Sequence, residues 1–139
     1  MVMALVVAAM MSCEIEMSGN GYLDGYWHLV RVDTLTTGGV CDMSGKRVFW
    51  SVQSSLINAT DYDRQYRGYF FHFDKSETTL RLFDPYADKR ADGDIKVEDS
   101  SEISHLGINA LDETFRIEQL SGSRMTIATE QLRLSFKKM

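Results

Sequence analysis

Apolar and polar residues alternate with a period of two through most of this chain, and no other feature constrains its fold as much. Val48, Trp50, Val52 and Leu56 alternate with Ser51, Gln53 and Ser55, and Tyr69, Phe71 and Phe73 with Phe70, His72 and Asp74. Leu80 and Leu82 flank Arg81, Phe115 and Ile117 flank Arg116, and Met125 and Ile127 flank Thr126. Leu132, Leu134 and Phe136 alternate with Arg133, Ser135 and Lys137. A strand turns successive side chains to opposite faces, so these runs describe strands buried on one side. Turn residues separate them: 74–77, 84–87 with Pro85 setting a turn start, 121–123 around Gly122, and 129–130. The spacing predicts eight strands, near 26–33, 47–57, 66–74, 78–83, 94–98, 113–120, 124–129 and 131–137. One segment departs from the rhythm. Asp99 to Glu102 has a capping-box pattern, followed by Ile103, Leu106 and a stop at Gly107, which predicts one helical turn near 100–106 that plugs or flanks a barrel end. The expected class is all-β. Strands joined by short hairpins favour an up-and-down antiparallel barrel, because closure removes the exposed edges.

If the alternation holds, Trp50, Tyr69, Phe71 and Phe73 share the inward face with Leu80, Phe115, Met125 and Phe136. An eight-stranded barrel is wide enough either to fill itself with side chains or to hold one small ligand. Both readings stay open at this level: a packed core, or a cup for a small apolar molecule lined by these rings. Tyr62 and Tyr66 stand in the polar run 61–67, either at the barrel mouth or on the outside of a strand.

Residues 1–12 carry no charge, and their apolar run is shorter than the roughly 20 residues that span a bilayer. The run has the length of a signal-peptide hydrophobic region. A first strand or a buried helix start is the competing reading. Ser12 directly precedes Cys13, which resembles the lipobox of bacterial lipoproteins. Met10 and Met11 depart from that pattern, and no Lys or Arg precedes the run. The resemblance implies a cleaved signal peptide over 1–12, a lipid on Cys13, and export to the bacterial cell envelope with the outer membrane as the expected site. Two or more acyl chains hold a protein on a membrane where one does not. Residues 13–23, polar and glycine-containing, would serve as a tether, keeping the domain within roughly 35 Å of the lipid at full stretch. The acidic pair Glu14 and Glu16 resembles surface-export signals of some Gram-negative bacteria. A lipidated Cys13 leaves Cys41 alone, so no intrachain disulfide is expected.

The rest of the chain excludes more than it proposes. A length of 139 residues fits one domain. A net charge of −5 argues against nucleic acid, which needs a basic face, and against a polybasic membrane contact. His28, His72 and His105 share no ligand spacing, so no metal is expected. The run from Asp88 to Asp94 contains Asp92-Gly93, but a calcium-loop register starting at Asp88 puts Arg90 on a ligand position and Asp99 where a Glu belongs. Nucleophile elbows and phosphate loops are missing from the sequence, so neither an enzyme, a catalytic residue nor a cofactor is expected.

Gly25-Tyr26-Trp27 resembles the Gly-x-Trp signature of lipocalins, and the ending Leu132-Arg-Leu-Ser-Phe-Lys-Lys138 resembles their closing strand. Residues 24–139 as a whole look like the lipocalin-like lipoproteins of gut bacteria, a group described by fold more than by activity. The resemblance implies that Gly25 gives a sharp chain entry and that Trp27 plugs the closed barrel end. It also implies a basic residue of the last strand, Lys137 or Arg133, lying over that ring. The mid-chain motifs of ordinary lipocalins are not recognisable. Two functions follow as expectations. One is a lipid-anchored barrel that binds a small hydrophobic ligand in its cup. The other is a ligand-free module docking on another envelope protein, of unknown identity, through the loops 34–46 and 84–94.

Overall fold

The computed structural model describes residues 20–64, 68–89 and 93–139. Ten strands form one antiparallel sheet: β1 (Gly25–Thr34), β2 (Gly39–Asp42), β3 (Val48–Gln53), β4 (Leu56–Asp61), β5 (Tyr69–Lys75), β6 (Thr79–Ala87), β7 (Ile95–Lys96), β8 (Glu113–Leu120), β9 (Arg124–Ala128) and β10 (Leu132–Lys138). Eight of them, in the order β1-β3-β4-β5-β6-β8-β9-β10, close on themselves when β10 pairs with β1. The fold is therefore the expected all-β, up-and-down barrel. Two short strands are added to it. β2 pairs with the Arg31–Thr34 half of β1, beyond the stretch that β3 occupies, and β7 pairs with the end of β6.

Three local features differ from expectation. The run 47–57 is two strands, not one: β3 and β4 meet across Ser54 and Ser55, with Ser54 at φ +55°. Serine is an unusual occupant of that backbone region, so no Gly, Asn or Asp marks the turn. Pro85 does not start a turn, because β6 runs through it to Ala87. A register irregularity opposite Phe70–His72 and the left-handed backbone of Asp84 (φ +48°) absorb the missing N–H, and the Pro85 carbonyl accepts from Val97 N at 2.9 Å. The segment 99–107 holds two 3-10 turns, Ser100–Glu102 and Ser104–Leu106, in place of one helical turn. Asp99 caps the first by accepting from Ser101 N, and Gly107 ends the second at φ +93°. A Cβ on Gly107 would stand 2.9 Å from Leu134 Cδ1, so both backbone and space call for glycine there.

The inward positions of the barrel strands make one continuous core with the linker between β6 and β8, which contributes Val97, Ile103, Leu106 and Ile108. That linker joins the ends of β6 and β8 remote from Trp27, so it plugs the far end of the barrel. The near end is closed by residues before β1. Asn20 to Leu23, expected in the tether, instead pack a 3-10 turn (Gly21–Leu23) against the barrel and bury Leu23.

Candidate functional site

A barrel's interior is the natural place for a ligand. All eight aromatic and aliphatic residues expected there do belong to the core, with Phe73 at its margin and only partly buried. Trp50, Phe71, Leu80 and Phe115 have no accessible surface, while Met125 and Phe136 keep 1% and Tyr69 8%. A cup able to hold a ligand would leave surface on its lining, and these side chains have almost none. Their rings meet each other instead: Trp50 lies 4.7 Å from Phe136 and 6.1 Å, edge-on, from Phe115. Trp50 Nε1 donates to the Leu106 carbonyl at 3.1 Å, which ties the far-end plug to the middle of the barrel. Of the two open readings, packing therefore describes the interior: the rings fill it.

The closed end shows why the Gly-x-Trp pattern works. Trp27 is fully buried and donates from Nε1 to the Leu23 carbonyl at 2.8 Å. The cation over its ring is Lys138, with Nζ 4.8 Å from the centroid, and this corrects the expectation of Lys137 or Arg133. Lys138 Nζ also donates to the Tyr22 carbonyl at 2.9 Å. Parity explains the correction, since Lys138 is two residues from Phe136 and so shares its inward face. Lys137 faces outward, and Arg133 pairs with Glu118 at 2.6 Å. Gly25, at φ +137°, leaves room for the lysine, because a Cβ there would press on Lys138 Cε at 3.0 Å. The closed end is thus a structural lock and offers no chemistry.

The outside of the barrel carries a concavity. An open groove of about 780 Å³ runs over the outer face of β1, β3, β4 and β5. Tyr26, Phe49 and Phe70 line it because each precedes an inward aromatic residue: Tyr26-Trp27, Phe49-Trp50 and Phe70-Phe71 are doublets that put one ring on each side of the sheet. Tyr26 stacks on Phe49 at 4.8 Å and 6°, and His28 stacks on the same ring at 4.6 Å and 23°. Tyr62 completes the cluster, 6.0 Å from Phe49, with its hydroxyl 3.5 Å from that of Tyr26. Burial, and then this hydroxyl contact, push the Tyr26 phenol up to about 12, so it is neutral at any physiological pH. Between the rings lie Ser51, Gln53, Asn58 and Thr60. A barrel's outer face is convex, and the groove needs a wall. Tyr62 supplies part of it, and Gly68 and Asp88, joined by an Asp88 N to Gly68 O bond of 3.0 Å, rise over Thr60 to supply the rest. A second hollow of about 370 Å³, lined by His72, Tyr86 and Asp94, shares Leu56 and Phe70 with the first.

The remaining candidates disperse. His72 lies beside Phe83, and His105 packs against Tyr69 with its Nε2 buried and without a partner. Among the described residues no three His, Cys, Asp or Glu side chains gather as a metal site. Cys41 is exposed on β2 with Sγ 3.6 Å from Met43 Sδ. Cys13, Tyr66, Arg90 and Asp92 lie outside the described residues. Alternation alone does not mark the outer groove; the aromatic doublets are the signal the sequence offers for it.

A family model of the lipocalin-like domain matches residues 7–139, nearly the whole chain. Among solved structures, a lipocalin-like protein from Bacteroides uniformis superposes with a TM-score of 0.65 at 20% identity, covering 86% of this chain and 100% of its own. A protein of uncharacterized function from Bacteroides eggerthii superposes with a TM-score of 0.57 at 16% identity, covering 84% and 98%. At these identities the likeness speaks for the fold. No curated protein matches the chain.

Proposed function

The chain belongs to the family of lipocalin-like domains, and we propose that it is a small-molecule binding module held at the bacterial cell envelope by a lipid on Cys13, with its ligand taken on the outer groove and not in the barrel cup. The observation that carries this reading is the contrast between the two faces of β1, β3, β4 and β5. Inside, the rings are sealed against one another, whereas outside, Tyr26 keeps 38% of its surface and stands in a groove of about 780 Å³ with polar groups at hand. The anchor rests on the resemblance around Ser12-Cys13, a stretch that the matched family region includes.

The test is a ligand screen by NMR on the full chain, with the Met125 methyl and Phe115 ring as interior reporters and Tyr26, Phe49 and Leu56 as groove reporters. Hits that shift the groove signals and leave the interior ones in place support the reading. Hits that shift Met125 and Phe115 return the ligand to the cup and overturn it. For the anchor, Cys13→Ala should abolish labelling by a fatty-acid analogue in growing cells, and persistent labelling would place the lipid elsewhere. A second reading, docking on another envelope protein along β2, draws on the exposure of all four β2 residues, with Val40 at 58%. Crosslinking from Val40 in intact cells that recovers one defined protein would favour it.

A further inference from the structure

We infer that the outer groove takes a neutral oligosaccharide, with Tyr26 and Phe70 as stacking surfaces and Ser51, Gln53 and Asn58 as hydrogen-bonding groups between them. This rests on the groove being the binding face, and it names the chemistry of the occupant.

The lining selects that chemistry by what it offers and what it lacks. Among the described residues no Lys or Arg lines either hollow, and the chain carries a net charge of −5, so an anionic ligand would find no counter-charge among them. A purely apolar ligand would cover the Ser51 hydroxyl and the Gln53 and Asn58 amides without replacing the water they bind, which opposes its binding. Among the described residues, neither Ser51 Oγ nor the Gln53 amide bonds to protein, and Asn58 uses only Oδ1, as acceptor from Thr60 Oγ1 at 2.8 Å. Its Nδ2 donors therefore point to solvent or ligand. Amides and hydroxyls both donate and accept, which matches the hydroxyls of a sugar in either role.

The rings supply the other half of the recognition. The C–H-bearing face of a sugar ring is weakly positive and packs on the negative face of an aromatic ring. Tyr26 has one face stacked on Phe49 and remains 38% exposed, so the stack presents a rigid platform in place of a mobile ring. Phe70 is shared by the main groove and the second hollow, which continues past it to His72 and Tyr86. A continuous trough with rings at separated points fits several linked sugar units better than one. Thr60, covered by Gly68, bonds Asn58 and sets the orientation of its amide. A Cβ on Gly68 would fall onto Thr60 Oγ1 and 2.5 Å from Asn58 Oδ1, so the groove wall depends on glycine at that point.

The experiment is affinity electrophoresis of the full chain, in a polyoxyethylene detergent, through native gels containing starch, mixed-linkage β-glucan, xylan or mannan, with polygalacturonate as the charged comparison. Retardation by at least one neutral polymer is expected. Phe70→Ala and Gln53→Ala should each weaken it at least tenfold, and because Gln53 is exposed, the second variant retains the wild-type unfolding midpoint. Absence of retardation in every neutral gel overturns the assignment. So does retardation by polygalacturonate alone, or retardation undiminished in both variants. If neutral gels fail while screening hits still shift the groove reporters, the saccharide assignment falls and the groove stands. If the hits shift Met125 and Phe115, the groove itself falls.

Discussion

Replacing Phe115 with alanine tests whether the barrel is packed or hollow. Phe115 has no accessible surface, sits opposite Leu80 in the β6–β8 register, and meets Trp50 edge-on at 6.1 Å. Removing a phenyl ring from a packed interior costs about 3–5 kcal/mol, combining lost transfer energy with the cavity left behind. The edge-on contact with Trp50 accounts for about 0.5–1.5 kcal/mol of aromatic pairing within that. A domain of this size has about 5–15 kcal/mol of stability, so the variant loses a large part of its margin. At an m-value of about 2 kcal/mol/M, the urea midpoint should fall by about 2 M with the slope unchanged. The void should also be dry and apolar, so benzene should raise the midpoint of the variant and leave that of the wild type where it was. A loss under about 1 kcal/mol would refute the packed interior, because it would mean that the ring already borders empty space. Equal stabilisation of the wild type by benzene would refute it too.

Other expectations follow from the closed end, the plug and a half-buried imidazole. Lys138→Met should cost about 1–2 kcal/mol through loss of the contact with Trp27 and the bond to Tyr22 O, while Lys137→Met stays near zero, both measured by urea unfolding. Gly107→Ala forces a left-handed backbone on a residue with a Cβ and presses it on Leu134, so a destabilisation of at least about 1–2 kcal/mol is expected in the same assay. Burial, with Arg64 adding and Asp61 opposing, holds the His105 pKa below its usual value, so the fold favours the neutral ring. The unfolded chain then takes up the proton first, and stability should decline as pH falls through about 6.5 toward the lower folded pKa. His105→Gln should flatten that decline when unfolding midpoints at pH 8 and pH 5.5 are compared.

Which side chains face inward was legible from the chain alone, because a two-residue period depends on backbone geometry and not on neighbours. The eight expected interior residues belong to the core for that reason. The same parity, carried two residues past Phe136, singles out Lys138 and not Lys137 as the cation over Trp27. Strand boundaries were less legible where the backbone took unusual conformations on unmarked residues, as at Ser54, or tolerated a proline inside a strand, as at Pro85.

Sequence by itself pointed to a closed antiparallel barrel, and the Gly-x-Trp resemblance implied its entry at Gly25 and its plug at Trp27. Only the tertiary structure decided whether that barrel is a cup or a solid. Its free volume depends on how rings from separate strands meet, and on the 97–108 linker folding Ile103 and Leu106 into the far end. The outer groove has the same origin. The doublets place Tyr26, Phe49 and Phe70 on the outer face one strand at a time. Strand order and register then bring them together, and the rise of Gly68 and Asp88 over Thr60 turns a convex face into a groove.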